Sequence, residues 1–133
     1  MEQITDTPKV LVIEDESPLQ TAIEIKLKAQ GFKVTLASSA AQAMNFMKEE
    51  IPDFIWLDLL LPGMDGLEFL QGMRREEKWK NIPVMIVSVT AGQDKIKEAF
   101  DLDVIDFVVK SQYKLEEIID KVQDFFKESR NKN

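Results

Sequence analysis

The sequence contains no cysteine and no histidine. The first absence excludes disulfides and thiolate chemistry and is compatible with a reducing cytoplasm. The second removes histidine-based metal sites, Ser-His-Asp triads and any phosphohistidine carried on this chain. No apolar stretch approaches the ~20 residues that a membrane-spanning helix needs. The stretch from Met1 to Pro8 lacks the basic-then-apolar pattern of a secretory signal. Positive charge is in short supply: 17 Lys and Arg stand against 24 Asp and Glu, a net charge of −7. Phosphate binding runs on Lys and Arg, so nucleic acid and anionic membrane are poor partners. The plain reading of the acidity is solubility. What remains is a chain of 133 residues, 44% of them hydrophobic, enough for one domain with a real core.

Short apolar runs alternate with stretches of helical spacing. Val10 to Ile13 is a pure apolar run. Ser17, Pro18 and Gln20 then read as an N-cap, a proline in the first turn and a capping box. Leu19, Ile23 and Leu27 repeat at helical spacing up to Gly31, a natural stop. Val34 to Ala37 is a second, weaker strand. Ser39 and Gln42 repeat the capping pattern before Ala43, Met44, Phe46 and Met47. Phe54 to Leu57 is a third strand, followed by Pro62-Gly63 and Asp65-Gly66 in a tight loop. Leu67, Leu70 and Met73 open a third helix, and Val84 to Val87 is a fourth strand. A short polar helix carries Ile96, Ala99 and Phe100. Ile105 to Val109 is a fifth strand, and Leu115, Ile118, Ile119, Val122 and Phe126 mark a strong last helix.

Five consecutive βα units with continuous apolar strands predict an α/β domain with a parallel sheet covered on both faces. The expected architecture is flavodoxin-like and doubly wound, five strands in the order 2-1-3-4-5 with five helices. Residues 1–8 are expected as a flexible lead, 9–127 as the domain and 128–133 as a polar, frayed tail. No internal repeat or linker is visible.

In open α/β sheets, function collects beyond the carboxyl ends of the strands, at the switch point. Strand one ends in Glu14 and Asp15, strand three in Asp58, strand four in Ser88 and strand five in Lys110. Strands one and three would be neighbours about 4.8 Å apart. Three carboxylates then share one crevice, with a hydroxyl and an amine on its far side. Clustered carboxylates repel and raise each other's pKa. A hard divalent cation relieves this, and oxygen ligands suit Mg²⁺. An Asp carboxylate can attack phosphorus to give an aspartyl phosphate. Mg²⁺ and a lysine can neutralise charge on the transferring group. Each residue alone has a bland reading: Asp after a strand is usually an Asx-turn or cap, and Asp15 or Glu16 would suit a helix dipole. Ser88 could be an ordinary buried hydroxyl and Lys110 a solvated strand end. Four strand ends on one side of one sheet make those separate readings a poor joint account.

With these residues in place, the chain resembles response-regulator receiver domains from about Lys9 to Lys127. The matching pieces are Val10-Leu11-Val12-Ile13-Glu14-Asp15-Glu16 and Ile55-Trp56-Leu57-Asp58-Leu59-Leu60-Leu61-Pro62-Gly63-Met64-Asp65-Gly66. Pro83-Val84-Met85-Ile86-Val87-Ser88 and Asp106-Phe107-Val108-Val109-Lys110 follow at the expected separations. The resemblance implies roles. Asp58 is then the phosphoacceptor. Asp15 and the backbone carbonyl of Leu60 are Mg²⁺ ligands, and Glu14 is a second acidic position that acts through water. Ser88 is the switch hydroxyl, Phe107 the switch aromatic and Lys110 the phosphate-pairing amine. The donor would be a phosphohistidine on a sensor histidine kinase or a histidine phosphotransfer protein, and the output a downstream target protein. A monomer or a phosphorylation-dependent dimer is expected, with no classical enzyme activity beyond autodephosphorylation.

The chain departs from the family at several positions. Glu14 stands where Asp is more frequent, Val89 where a small residue is usual, and Ser111 where proline follows the lysine. The Lys110–Ser111 peptide is accordingly expected trans, since cis before a non-proline residue costs about 3 kcal/mol. Asp101-Leu102-Asp103-Val104 lacks the common Gly-Ala turn. A pseudo-receiver that binds partners without phosphorylation, and a receiver cut from a larger regulator or hybrid kinase, are the alternatives. A dehalogenase-type phosphatase carries a second Asp two residues after its nucleophile, where this chain has Leu60. A nucleotide-binding protein would need a glycine-rich loop after strand one.

Overall fold

The computed structural model describes residues 7–89 and 92–131. Five strands alternate with five helices: β1 (Lys9–Ile13), α1 (Ser17–Ala29), β2 (Lys33–Ala37), α2 (Ala40–Glu49), β3 (Phe54–Leu57), α3 (Gly66–Arg75), β4 (Val84–Ser88), α4 (Gln93–Asp101), β5 (Asp106–Val109) and α5 (Leu115–Asn131). A 3₁₀ turn, Lys110–Gln112, links the last two. The sheet is parallel throughout, as the βα alternation predicts, and its order is the flavodoxin-like β2-β1-β3-β4-β5. Among the described residues no helix is long and apolar enough to cross a membrane.

The pleat sorts the strand side chains to two faces. Leu11, Ile13, Ile55, Leu57, Val84 and Ile86 pack with α2, α3 and α4. Val10, Val12, Phe54, Trp56, Met85 and Val87 pack with α1 and α5. Because each central strand is buried on both faces, its sequence shows no polar alternation. Full burial of Phe54 or Leu57 (both 0% exposed) contributes about 1.5–3 kcal/mol each.

Several local expectations change. Glu16, not Ser17, is the N-cap of α1, and no side chain caps it. The Gln20 amide is drawn instead to the neighbouring loop, donating to the carbonyl of Glu14, the carbonyl of Ala37 at 3.4 Å and the hydroxyl of Ser38 at 3.0 Å. Ser39 does cap α2, accepting from the Gln42 amide at 3.1 Å. Ile105 sits just before β5 and is exposed. Phe100 of α4 lies on the solvent side.

The expected tail is a further correction: α5 continues through Asn131. Phe126 packs on Phe32 with ring centroids 5.3 Å apart, and Phe125 packs on Phe54 at the same distance. Such pairs add about 0.5–1.5 kcal/mol each beyond burial, which anchors the turn from which the polar end extends. Of the expected lead, Pro8 is already tied down, its carbonyl accepting from the Lys33 amide at 2.9 Å. Residues 1–6 and 132–133 lie outside the described residues.

Candidate functional site

The crevice grows directly out of the sheet. The Asp58 amide donates to the Ile13 carbonyl at 3.0 Å, and the Glu14 amide to the Ala37 carbonyl at 2.9 Å. Parallel pairing therefore runs one residue past the strand ends and fixes the backbones of Glu14 and Asp58 side by side. Ligand oxygens of Glu14, Asp15 and Asp58 all lie within 4.8 Å of one another. Glu14 and Asp58 are buried, at 1% and 4% exposure, while Asp15 is open to solvent.

Lys110 joins them. Its Nζ donates to Glu14 Oε1 at 2.8 Å and to Asp58 Oδ2 at 3.1 Å. Each carboxylate places its second oxygen on an amide two residues further on: Glu14 Oε2 accepts from Glu16 N and Asp58 Oδ1 from Leu60 N, both at 3.1 Å. The amine therefore lies among the carboxylates, not on the far side of the crevice. One ammonium against three carboxylates leaves the crevice with two negative charges unbalanced.

Burial raises the Glu14 carboxyl above its ordinary pKa. The Lys110 and Glu16 hydrogen bonds oppose this, and the Asp58 charge adds to it as a smaller cause. Mutual repulsion thus contributes as expected, but desolvation is the larger effect. For Lys110, burial pulls the pKa down, yet the bonds and charges of Glu14 and Asp58 outweigh it and the net direction is up. The two partners pull in opposite senses on their shared bond. Two carboxylates face Lys110 at hydrogen-bond distance and hold its proton.

Ser88 is fully buried, and among the described residues its hydroxyl has no hydrogen-bond partner. Register sets it beside Val109, the residue before Lys110. Leaving such a donor unpaired costs about 1–3 kcal/mol. Phe107 is half-buried and packs on the cluster that holds Ala99 and Val104. The Leu60 side chain faces solvent. No cis peptide occurs among the described residues, so Lys110–Ser111 is trans.

The loop after Asp58 is held by a capping box on α3. Asp65 accepts from the Leu67 amide at 2.7 Å, and Glu68 accepts from the Asp65 amide at 3.4 Å. Gly66 then presses on the site: a Cβ there would lie 2.7 Å from Leu59 Cα and 2.8 Å from the Asp58 carbonyl oxygen. The Asp-Gly pair, read as a turn signal, also marks this close approach. The bracing by Gln20 carries no local signal, since in sequence it reads as a capping residue.

Fold and crevice define a doubly wound α/β domain with an acidic site at its switch point. The chain matches the response regulator receiver domain family over residues 10–123 and belongs to it. It is a receiver domain of the two-component response regulators, a family of signalling switches. Transcriptional regulatory protein AfsQ1 of Streptomyces coelicolor is 36% identical over 105 residues, 77% of this chain and 44% of that protein. Transcriptional regulatory protein KdpE of Mycobacterium tuberculosis is 39% identical over 102 residues, 76% of this chain and 43% of that protein. The chain thus spans less than half the length of these relatives. The phosphorylated cyanobacterial phytochrome response regulator RcpA superposes with a TM-score of 0.77 at 27% identity, covering 90% of this chain and 91% of that one.

Proposed function

We propose that this domain is switched by transfer of a phosphoryl group onto Asp58. The observation that carries the reading is Lys110 held between two buried carboxylates, with Asp15 beside them. An Asp58 carboxylate oxygen attacks phosphorus as the nitrogen–phosphorus bond of a phosphohistidine donor breaks. The leaving imidazole keeps the bonding pair and takes a proton, and an acyl phosphate forms. Lys110 needs to shift little to pair with a phosphoryl oxygen. The similar response regulator RcpA is itself phosphorylated, in line with the same chemistry here.

The donor set suits Mg²⁺: an all-oxygen cluster with excess negative charge. Asp15, Asp58 and the Leu60 carbonyl would hold the ion, with Glu14 acting through water. When bound, Mg²⁺ supplies positive charge against the phosphoryl oxygens. Within the chain, the unpartnered Ser88 hydroxyl is the donor for a further oxygen, and Phe107 turns further inward as the end of β4 moves. The donor protein is a sensor histidine kinase or a histidine phosphotransfer protein, and the output is altered binding to a target protein. The same switch serves a stand-alone chain or the receiver of a longer regulator.

Intact mass after incubation with acetyl phosphate and Mg²⁺ tests this. One added phosphoryl group is expected on the wild type and none on Asp58→Asn. Equal labelling of that variant, or full labelling in excess chelator, overturns the reading.

A further inference from the structure

Among the described residues, helix α4 is held unevenly. Ala99 is its one buried side chain. The helix begins on Gly92 with no side-chain cap, and residues 92–95 are exposed. The ion pair at this end places the Lys95 ammonium 4.0 Å from the Asp65 carboxylate, with both groups well exposed. A pair so long and so exposed contributes little.

The other end is built differently. The Asp103 amide donates to the Phe100 carbonyl at 3.0 Å, and the Val104 amide to the Ala99 carbonyl at 3.4 Å. This is a Schellman ending, with Asp103 at φ 62° in the place that favours glycine. That backbone region costs a residue with a Cβ roughly 1 kcal/mol. Arg74 of α3 reaches across to it. Its Nε donates to the Leu102 carbonyl at 2.8 Å and its Nη2 to the Asp103 carbonyl at 3.3 Å. Its Nη1 donates to the carbonyls of Ile82 at 2.8 Å and Lys80 at 2.9 Å, on the segment that leads into β4. One turn earlier, the Gln71 amide donates to the Glu98 carboxylate at 2.7 Å. A half-buried cation therefore sits at the negative end of the α4 dipole. Only the planar guanidinium fork offers donors in enough directions to bind four carbonyls together.

We propose that Arg74, braced by Gln71, is the pivot about which α4 turns when the Ser88 end of β4 changes state. The inference rests on the reading of Asp58 as phosphoacceptor and Ser88 as switch hydroxyl. The signal then reaches the surface as a swing of the first half of α4, not as a displacement of the whole helix. A nine-residue helix is about 13 Å long, so a shift of ~2 Å at the first turn tilts it by about 10° and leaves the Arg74 bonds intact. None of the Arg74 bonds is to a residue of the acidic crevice, so Arg74 acts through α4 and is a positioning residue.

The experiment is an NMR comparison of the full chain as wild type, R74K and Q71A, with Mg²⁺ and with or without beryllofluoride as phosphoryl mimic on Asp58. In the wild type, amide shift changes should concentrate at residues 93–97 and stay small at 100–104. R74K keeps the charge but gathers its donors on one atom. In it, the beryllofluoride-induced changes should spread through Leu102 to Val104, and amide exchange of Asp103 and Val104 should become at least tenfold faster. Q71A, which leaves Arg74 in place, should show a weaker form of the same pattern. Wild-type changes as large at 100–104 as at 93–97 overturn the pivot. So does an R74K shift pattern identical to wild type with only a lower melting temperature, the signature of a merely structural role. Absence of any shift near Asp58 counts against the phosphoacceptor reading, and the pivot falls with it. Strong shifts around Asp58 with a uniform response along α4 overturn the pivot alone.

Discussion

Lys110 and Glu14 share a hydrogen bond, and both hold their protons more tightly in the folded chain, so each loses stability as pH rises, in separate ranges. The folded pKa of Lys110 is raised above its ordinary 10.5, so the folded chain holds this proton more tightly than the unfolded one. The stability this supplies is fully present below pH 10.5 and is lost as pH rises through the raised folded value. Urea unfolding across the alkaline range should show that loss, and Lys110→Met should show a shallower one. Glu14 is raised above 4.5, mainly by burial, so its charged form opposes folding at neutral pH. Asp58 adds to the same unbalanced charge. Asp58→Asn should therefore stabilise the chain by about 1 kcal/mol in the absence of divalent cation. Saturating Mg²⁺ should shrink the gain, because the cation already relieves the repulsion in the wild type. Equal gains with and without Mg²⁺ would show that charge is not the cause.

The elements place the site through contacts that tolerate little. Helix α3 begins where a Cβ on Gly66 would meet the Leu59 Cα at 2.7 Å. Backbone cannot swing away as a side chain can, so Gly66→Ala should cost about 1–3 kcal/mol and slow labelling of Asp58 by acetyl phosphate. Gly72 lies on the same helix with nothing within 4 Å of an added carbon. Gly72→Ala should instead stabilise by about 0.5–1 kcal/mol through helix propensity and leave labelling unchanged. Denaturant titration of the two variants checks both signs. Helix α5 shows the reverse case, in which an element outruns its expected end because Phe125 and Phe126 fasten it to Phe32 and Phe54.

At the scale of the molecule, the two apolar clusters lock the sheet from both sides, and the crevice is where the lock ends in charge. Trp56 lies in the α1 and α5 cluster two residues before Asp58 and is 1% exposed. Its indole N–H has no partner among the described residues, so its emission reports the packing around it. Mg²⁺ should bind weakly without phosphate, since the ion sheds water reluctantly, and Trp56 fluorescence should follow the titration. Asp15→Asn should lose most of this binding. Unchanged binding in that variant would place the metal elsewhere.

The five βα units and the strand-end residues are legible because their signals are local, whereas the sheet order is not in the sequence and is expected only as the usual order for five such units. Apolar runs, capping residues and Pro-Gly or Asp-Gly pairs each report on a few neighbouring positions. Glu14, Asp15, Asp58, Ser88 and Lys110 could be grouped in advance because a parallel sheet sends all strand ends to one side. The pairing among them was not legible. Lys110 bonds a residue 96 positions away, and only the folded backbone decides that the longer Glu14 side chain reaches it. Gln20 read as a cap because its nearest sequence neighbours suit one, but the sheet brings the carbonyl of Ala37 closer to its purpose. Arg74 carries no motif, and the carbonyls it binds belong to a loop and a helix end that meet only in the fold. Local periodicity thus determined which elements form and which strand ends face the crevice. Tertiary packing decided which side chains share a proton, a helix end or a cavity, because those contacts depend on distances between elements that no local pattern encodes.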